Sequence, residues 1–178
     1  MEFINELNQN ILLLPFGFVA LLIFLSHRNT KHRRNIRKAD RYIKKLKLIN
    51  NEKLVFGYLR KVDPFVFEEM ILSALKLQGH RVKRNSKYTG DGGVDGRVCI
   101  KGEKYLVQAK RYKGHINLQH VKDFIRICEK AKCKGLFIHT GKTGKESRSV
   151  GTNSNRLDIV SGNRVLHIIL DKNFKVRI

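Results

Sequence analysis

The chain has 178 residues, enough for one compact domain with a terminal appendage. Its 37 Lys and Arg against 15 Asp and Glu leave a formal charge of +22, which points to polyanions, either nucleic acid or an anionic membrane surface. The three cysteines, Cys99, Cys128 and Cys133, are odd in number and lack C-x-x-C spacing, which excludes a disulfide framework and a zinc site and fits a reducing compartment. Cys99 falls in a strand pattern and Cys128 on an apolar helix face, so both are expected to be buried thiols.

Residues 11–25 carry no polar side chain. As helix they span about 22 Å, short of a hydrocarbon core of roughly 30 Å, but flanking residues to Ser26 and local thinning narrow the gap. Glu2 and Glu6 precede the run without any Lys or Arg, which is not the basic start of a cleavable signal peptide. A single-pass membrane anchor over 1–27 is the expectation, with a buried helix of a soluble domain as the alternative. Eleven Lys or Arg between 27 and 53, against Asp40 and Glu52, place the following part in the cytoplasm, as at a bacterial inner membrane. Ile36, Ala39, Ile43, Leu46 and Ile49 recur at helical spacing, predicting a basic amphipathic linker helix within 28–58. Anionic lipid, DNA and a plain connecting role all suit it.

From 59 to 178 a globular domain is expected. Asp63 and Pro64 cap and open a helix whose apolar face runs through Phe67, Ile71, Ala74 and Leu75 to a stop at Gly79. A strand starts at His80, a tight turn lies at Gly90–Gly93, and Val94–Ile100 alternates as a second strand. Lys101-Gly102-Glu103 reads as a hairpin turn and Tyr105–Lys110 as a third strand. Val121, Phe124, Ile125 and Cys128 mark the next helix, ended by Gly135, and Leu136–Thr140 reads as a buried strand. Residues 141–156 are expected to form a loop with at most a short helix. Ile159-Val160, a turn at Ser161-Gly162-Asn163, and a strand over Val165–Leu170 close an α/β fold, a mixed sheet flanked by helices.

Asp95 at one strand and Gln108-x-Lys110 on the next carry the chemistry. Phosphodiester hydrolysis calls for a metal that polarises the phosphate and acidifies a water. Mg²⁺, with Mn²⁺ as a substitute, takes hard oxygen ligands and keeps several waters, so one or two carboxylates suffice. Asp95 supplies one and Gln108 an amide oxygen. Strand alternation puts Lys110 on the same face as Gln108, beside the reacting group. Glu68 aligns with Ile71, Leu72 and Leu75 on the expected buried face and is the preferred further ligand. Glu69, in line with Ser73 and Lys76, is expected to face solvent.

These residues resemble the Mrr-like branch of the PD-(D/E)xK nuclease superfamily, with the restriction-endonuclease-like fold. The likeness runs through Phe67-Glu68, Gly79-His80-Arg81-Val82, Gly90-Asp91-Gly92-Gly93-Val94-Asp95 and Gln108-Ala109-Lys110-Arg111-Tyr112. It continues in Gly135-Leu136-Phe137-Ile138-His139-Thr140 and Ser161-Gly162-Asn163-Arg164-Val165-Leu166, covering roughly 62–170. It implies a Mg²⁺-dependent DNA endonuclease with Glu68, Asp95, Gln108 and Lys110 as its catalytic set. Gln108 in place of an acid removes one negative ligand and leaves the metal count open. Asp91 is expected to shape the turn, with a carboxylate that reaches the site as the alternative.

Gly141-Lys142-Thr143 is not a P-loop, because position 136 is Leu rather than Gly. Arg111, Lys113, Lys142, Lys145 and Arg148 are instead expected DNA contacts. His115, His120 and His139 lack metal-ligand spacing. The leading expectation is a membrane-anchored endonuclease with DNA and membrane as partners, compatible with a homodimer. The alternatives are a catalytically inactive DNA-binding or tethering module of the same fold, and a structure-specific nuclease acting on junctions or RNA.

Overall fold

Asp63 and Pro64 start the central helix as the sequence dictates. The Asp63 carboxylate accepts from the Phe65 and Val66 amides at 3.0 and 3.2 Å, and Pro64 occupies the first turn, where no amide hydrogen is needed. The computed structural model describes residues 31–85, 93–170 and 174–178. The apolar run 11–25 and Asp91 lie outside the described residues. Among the described residues no helix is long and apolar enough to cross a membrane.

In chain order the elements are α1 (31–47), α2 (Glu52–Leu59), α3 (Pro64–Leu77), β1 (Arg81–Arg84), β2 (Gly96–Ile100) and β3 (Glu103–Lys110). They continue with α4 (Leu118–Lys130), β4 (Lys134–His139), α5 (Lys145–Asn153), β5 (Leu157–Val160) and α6 (Asn163–Ile169). The five strands stand in sequence order, β1 to β3 antiparallel and β3 to β5 parallel. Ile100 pairs with Glu103 across a two-residue turn in which Lys101 and Gly102 both adopt positive φ, the geometry a tight hairpin demands. The two parallel steps need crossovers, and α4 and α5 supply them.

Each face of the sheet has its own core. Val98, Tyr105, Val107, Ala109, Leu136, Ile138 and Val160 pack beneath α3 and α6, together with α2 and the Ala39, Ile43 and Leu46 side of α1. Leu106, Phe137 and Leu157 face Val121, Phe124, Ile125 and Cys128 of α4 on the other side. Gly96 is required where β2 passes under α3. A Cβ there would stand 2.9 Å from the Lys83 carbonyl and 3.0 Å from Leu72.

Three expectations change. Residues 163–169 form a helix, not a strand, because Val165, Leu166, Ile168 and Ile169 are all buried in the α3-side core, which needs the closer spacing of helical turns. Glu69 does not face solvent. Only 2% of it is exposed, and its carboxylate takes the Arg84 guanidinium at 2.8 Å, with His32 Nδ1 at 3.3 Å. A second nitrogen of Arg84 donates to Ser73 at 2.8 Å, so one buried polar cluster ties α1, α3 and β1 together. Cys99 is half-buried, whereas Cys128 is fully buried and its thiol is pushed up to about 12 by that burial.

Glu69→Ala should destabilise the protein by roughly 3 kcal/mol, the lower end for breaking a buried ion pair because Arg84 keeps some solvent. Urea unfolding measures this, and an unchanged midpoint would remove the cluster from the supports of the fold.

Candidate active site

The first residue of β2 is Gly96, opposite Val107, and hydrogen bonding to β3 extends to the residue before it. The Asp95 amide donates to the Val107 carbonyl at 2.8 Å, and the Asp95 carboxylate accepts the Ala109 amide at 2.6 Å. On the other side, the Asn85 amide reaches the Asp95 carbonyl at 3.3 Å and its side chain holds the Val94 carbonyl at 2.6 Å. Asp95 is therefore fixed by both backbone and side chain at the point where the three antiparallel strands end.

Gln108 lies one residue before Ala109 and is 6% exposed. Its amide nitrogen donates to the Gly93 carbonyl at 2.5 Å. Gly93 has φ of +87°, and any Cβ there would run into the Gln108 amide. The other end of that amide, Oε1, is buried and accepts no hydrogen bond from the described residues. An orphaned buried acceptor is costly and calls for a donor or a cation.

Lys110 closes β3 half-buried, two residues on from Gln108 and so on the same face. Its charge is felt by Glu68 on α3 and by His120 on α4, which puts it at the sheet end between the helical layers. Glu68 is half-buried in the second turn of α3. Burial pushes its carboxyl up to about 8, and the charges of Asp95 and then Glu69 add to the effect while Lys110 opposes it. The structure thus gathers Glu68, Asp95, Gln108 and Lys110 around the ends of β2 and β3. Among the described residues no group of three or more His, Cys, Asp or Glu side chains is placed to hold a metal. The oxygen donors gathered here are instead two carboxylates, Glu68 and Asp95, and one amide, Gln108.

The expected DNA contacts divide. Lys113, Lys142, Lys145 and Arg148 are exposed, and Arg148 lines a cleft of about 740 Å³ with Arg164 and Arg177. Arg111 turns into the protein instead, donating to the Arg60 carbonyl at 2.8 Å, while Arg60 donates to the Thr140 carbonyl at 3.1 Å. The Tyr112 hydroxyl lies 2.5 Å from His120 Nδ1, and sequence patterning gives no role to the fully buried His139, whose imidazole burial lowers to about 4. The signal available for His139 is its place in an otherwise apolar strand.

The family model for the Mrr catalytic domain, described as Restriction endonuclease, matches residues 59–169. No curated protein sequence matches the chain. Among solved structures, restriction endonuclease FokI superposes with a TM-score of 0.51 at 16% identity, over 76% of this chain and 28% of FokI. The chain thus corresponds to less than a third of FokI, and at this identity the likeness speaks for the fold alone. SfsA of Pyrococcus furiosus, in complex with Ca²⁺, superposes with a TM-score of 0.37 at 15% identity over 54% of each chain, too loosely to bear on fold or function.

The carboxyl of Glu68 sets a pH dependence. With a folded value near 8 and an ordinary value of 4.5, the folded chain holds a proton that the unfolded chain has lost between those limits. Stability is therefore lost as pH rises through that window. Without divalent metal, Glu68→Gln should melt higher than the native protein at pH 9, and the gap should close towards pH 4.5. A gap independent of pH in thermal unfolding would refute the assignment.

Proposed function

We propose that this chain, which belongs to the restriction endonuclease family through its Mrr catalytic domain, is a Mg²⁺-dependent DNA endonuclease whose working residues are Glu68, Asp95, Gln108 and Lys110. The observation that carries the reading is the convergence of these four at the ends of β2 and β3, with Gln108 Oε1 buried and lacking a partner among the described residues. The donor set fits a hard divalent ion: carboxylate oxygens from Asp95 and Glu68 and the amide oxygen of Gln108 would hold Mg²⁺, with Mn²⁺ as a substitute. When bound, such an ion supplies charge that polarises the scissile phosphate and makes a water easier to deprotonate.

The protein's own groups do the rest. The Ala109 amide fixes one Asp95 oxygen, so that carboxylate is pre-oriented. Glu68 and Asp95 repel one another, and the ionised pair is favoured only when positive charge stands between them. Lys110 offers an ammonium against the negative charge that grows on the phosphate oxygens. Hydrolysis adds one water across a P–O ester bond: the water oxygen bonds to phosphorus, the ester bond breaks, and the departing oxygen takes up a proton. DNA as substrate follows from the family and the charge of +22. The apolar residues 11–26 would hold the enzyme at a membrane, with the basic flank and the nuclease domain in the cytoplasm.

The full chain, incubated with supercoiled plasmid and Mg²⁺, should nick and linearise it, and EDTA should stop the reaction. Asp95→Ala and Lys110→Ala should each slow cleavage by about two to three orders of magnitude, the scale of losing one preorganised electrostatic partner. Native-like cleavage by either variant would sink this site. Plasmid binding without cleavage in all three proteins would instead mark an inactive module, and better competition by RNA or junctions would move the substrate class.

A further inference from the structure

We infer that α1 is a DNA-binding ridge of the nuclease domain, seating the phosphate backbone of a duplex beside the catalytic site. The inference takes DNA as the substrate from the proposed function. Nine Lys or Arg occupy residues 31–47, namely 31, 33, 34, 37, 38, 41, 44, 45 and 47, and every one is exposed. Asp40 is the single acid in the stretch. At 100° per residue the cations fill one side of the helix, and the opposite side, Asn35, Ala39, Ile43 and Leu46, is buried. Seventeen residues make a ridge about 25 Å long, comparable to seven base steps of duplex.

Two observations choose DNA over lipid. A helix that rests on a membrane buries its apolar face among acyl chains. Here that face is already covered, since Ala39, Ile43 and Leu46 belong to the core shared with α3 and the sheet. The first described turn of the ridge also lies by the site. His32 Nδ1 lies 3.3 Å from Glu69, the neighbour of Glu68, and the Lys31 ammonium stands 5.5 Å from the ring of Phe65, three residues before Glu68. A polyanion laid along α1 therefore runs to the turn that carries the catalytic carboxylate.

The test uses the full chain in non-ionic detergent, made cleavage-silent by Asp95→Ala, and a 30-base-pair duplex titrated across a range of KCl without divalent metal. Arg34→Gln, Arg37→Gln, Arg41→Gln and Lys45→Gln are combined in one variant. A control variant combines Lys101→Gln, Lys104→Gln, Lys130→Gln and Lys132→Gln, exposed positions at the opposite end of the sheet from Lys110. All eight side chains are exposed, so thermal unfolding should stay near the parent's. The α1 variant should bind at least tenfold more weakly near physiological salt, and the slope of log affinity against log salt should fall by about 0.9 for each phosphate no longer neutralised. The control should change either quantity much less. Equal losses in both variants would reduce α1 to bulk charge and overturn the ridge. So would unchanged DNA binding with a lost preference for phosphatidylserine over phosphatidylcholine vesicles, which would make the partner a membrane. Plasmid cleavage by the native chain is read separately, so a failed active site and a failed ridge give different results.

Discussion

The amide of Ala109 is the constraint on which the site depends. β3 is an inner strand, and its backbone groups must be satisfied on both sides even where β2 has ended. The Asp95 carboxylate takes over the role of a missing strand neighbour. One hydrogen bond thus completes the pairing of β3 and fixes a carboxylate oxygen of Asp95. The same end of β3 carries Gln108 and Lys110 two residues apart, so the contact that completes the backbone pairing also assembles the chemistry.

That arrangement leaves an electrostatic debt. Asp95 and Glu68 face each other's charge, Lys110 offsets only part of it, and the Gln108 oxygen has been removed from water without a donor among the described residues. Elsewhere the chain treats buried polarity differently. Glu69 is matched by Arg84, and Asp158 receives Arg164 at 2.6 and 2.7 Å and the Arg177 amide at 2.9 Å. Adjacent carboxylates on α3 therefore have opposite characters: Glu69 is settled and Glu68 is poised. Among the described residues the buried side-chain atoms without a partner are Gln108 Oε1 and Arg111 Nε, the first beside a poised carboxylate, and such unmet polarity suits a charged ligand.

The strands from β1 to β4 were legible because each came bounded by strong punctuation, such as the Lys101-Gly102 turn, and because β2 alternates cleanly. Gln108 and Lys110 could be put on one face from strand alternation, and Asp95 at the end of the neighbouring strand from the glycine turn before it. Glu69 could not. Most of α3 from Val66 to Leu75 is buried, so helical periodicity no longer distinguishes an inner from an outer face, and the partner Arg84 is fifteen residues away. Residues 165–170 misled for a related reason. A short apolar run rich in Val and Ile suits a buried strand as well as a buried helix, and only packing against α3 decides between them. The family match begins at residue 59, yet the core it encloses is completed by side chains from α1 and α2.

The rim of the sheet at β1 has a consequence for how copies of the protein meet. β1 is four residues long, and its outermost position leaves one row of backbone donors and acceptors unclaimed by a sheet neighbour among the described residues. Such a rim invites another chain to add on as a further strand. Arg81 and Lys83 are exposed on it, and an arriving β1 from a second molecule would bring the same two cations. Like charge and short length together make edge-to-edge pairing of two β1 strands unfavourable, so this rim is protected by the very cations that make the chain basic.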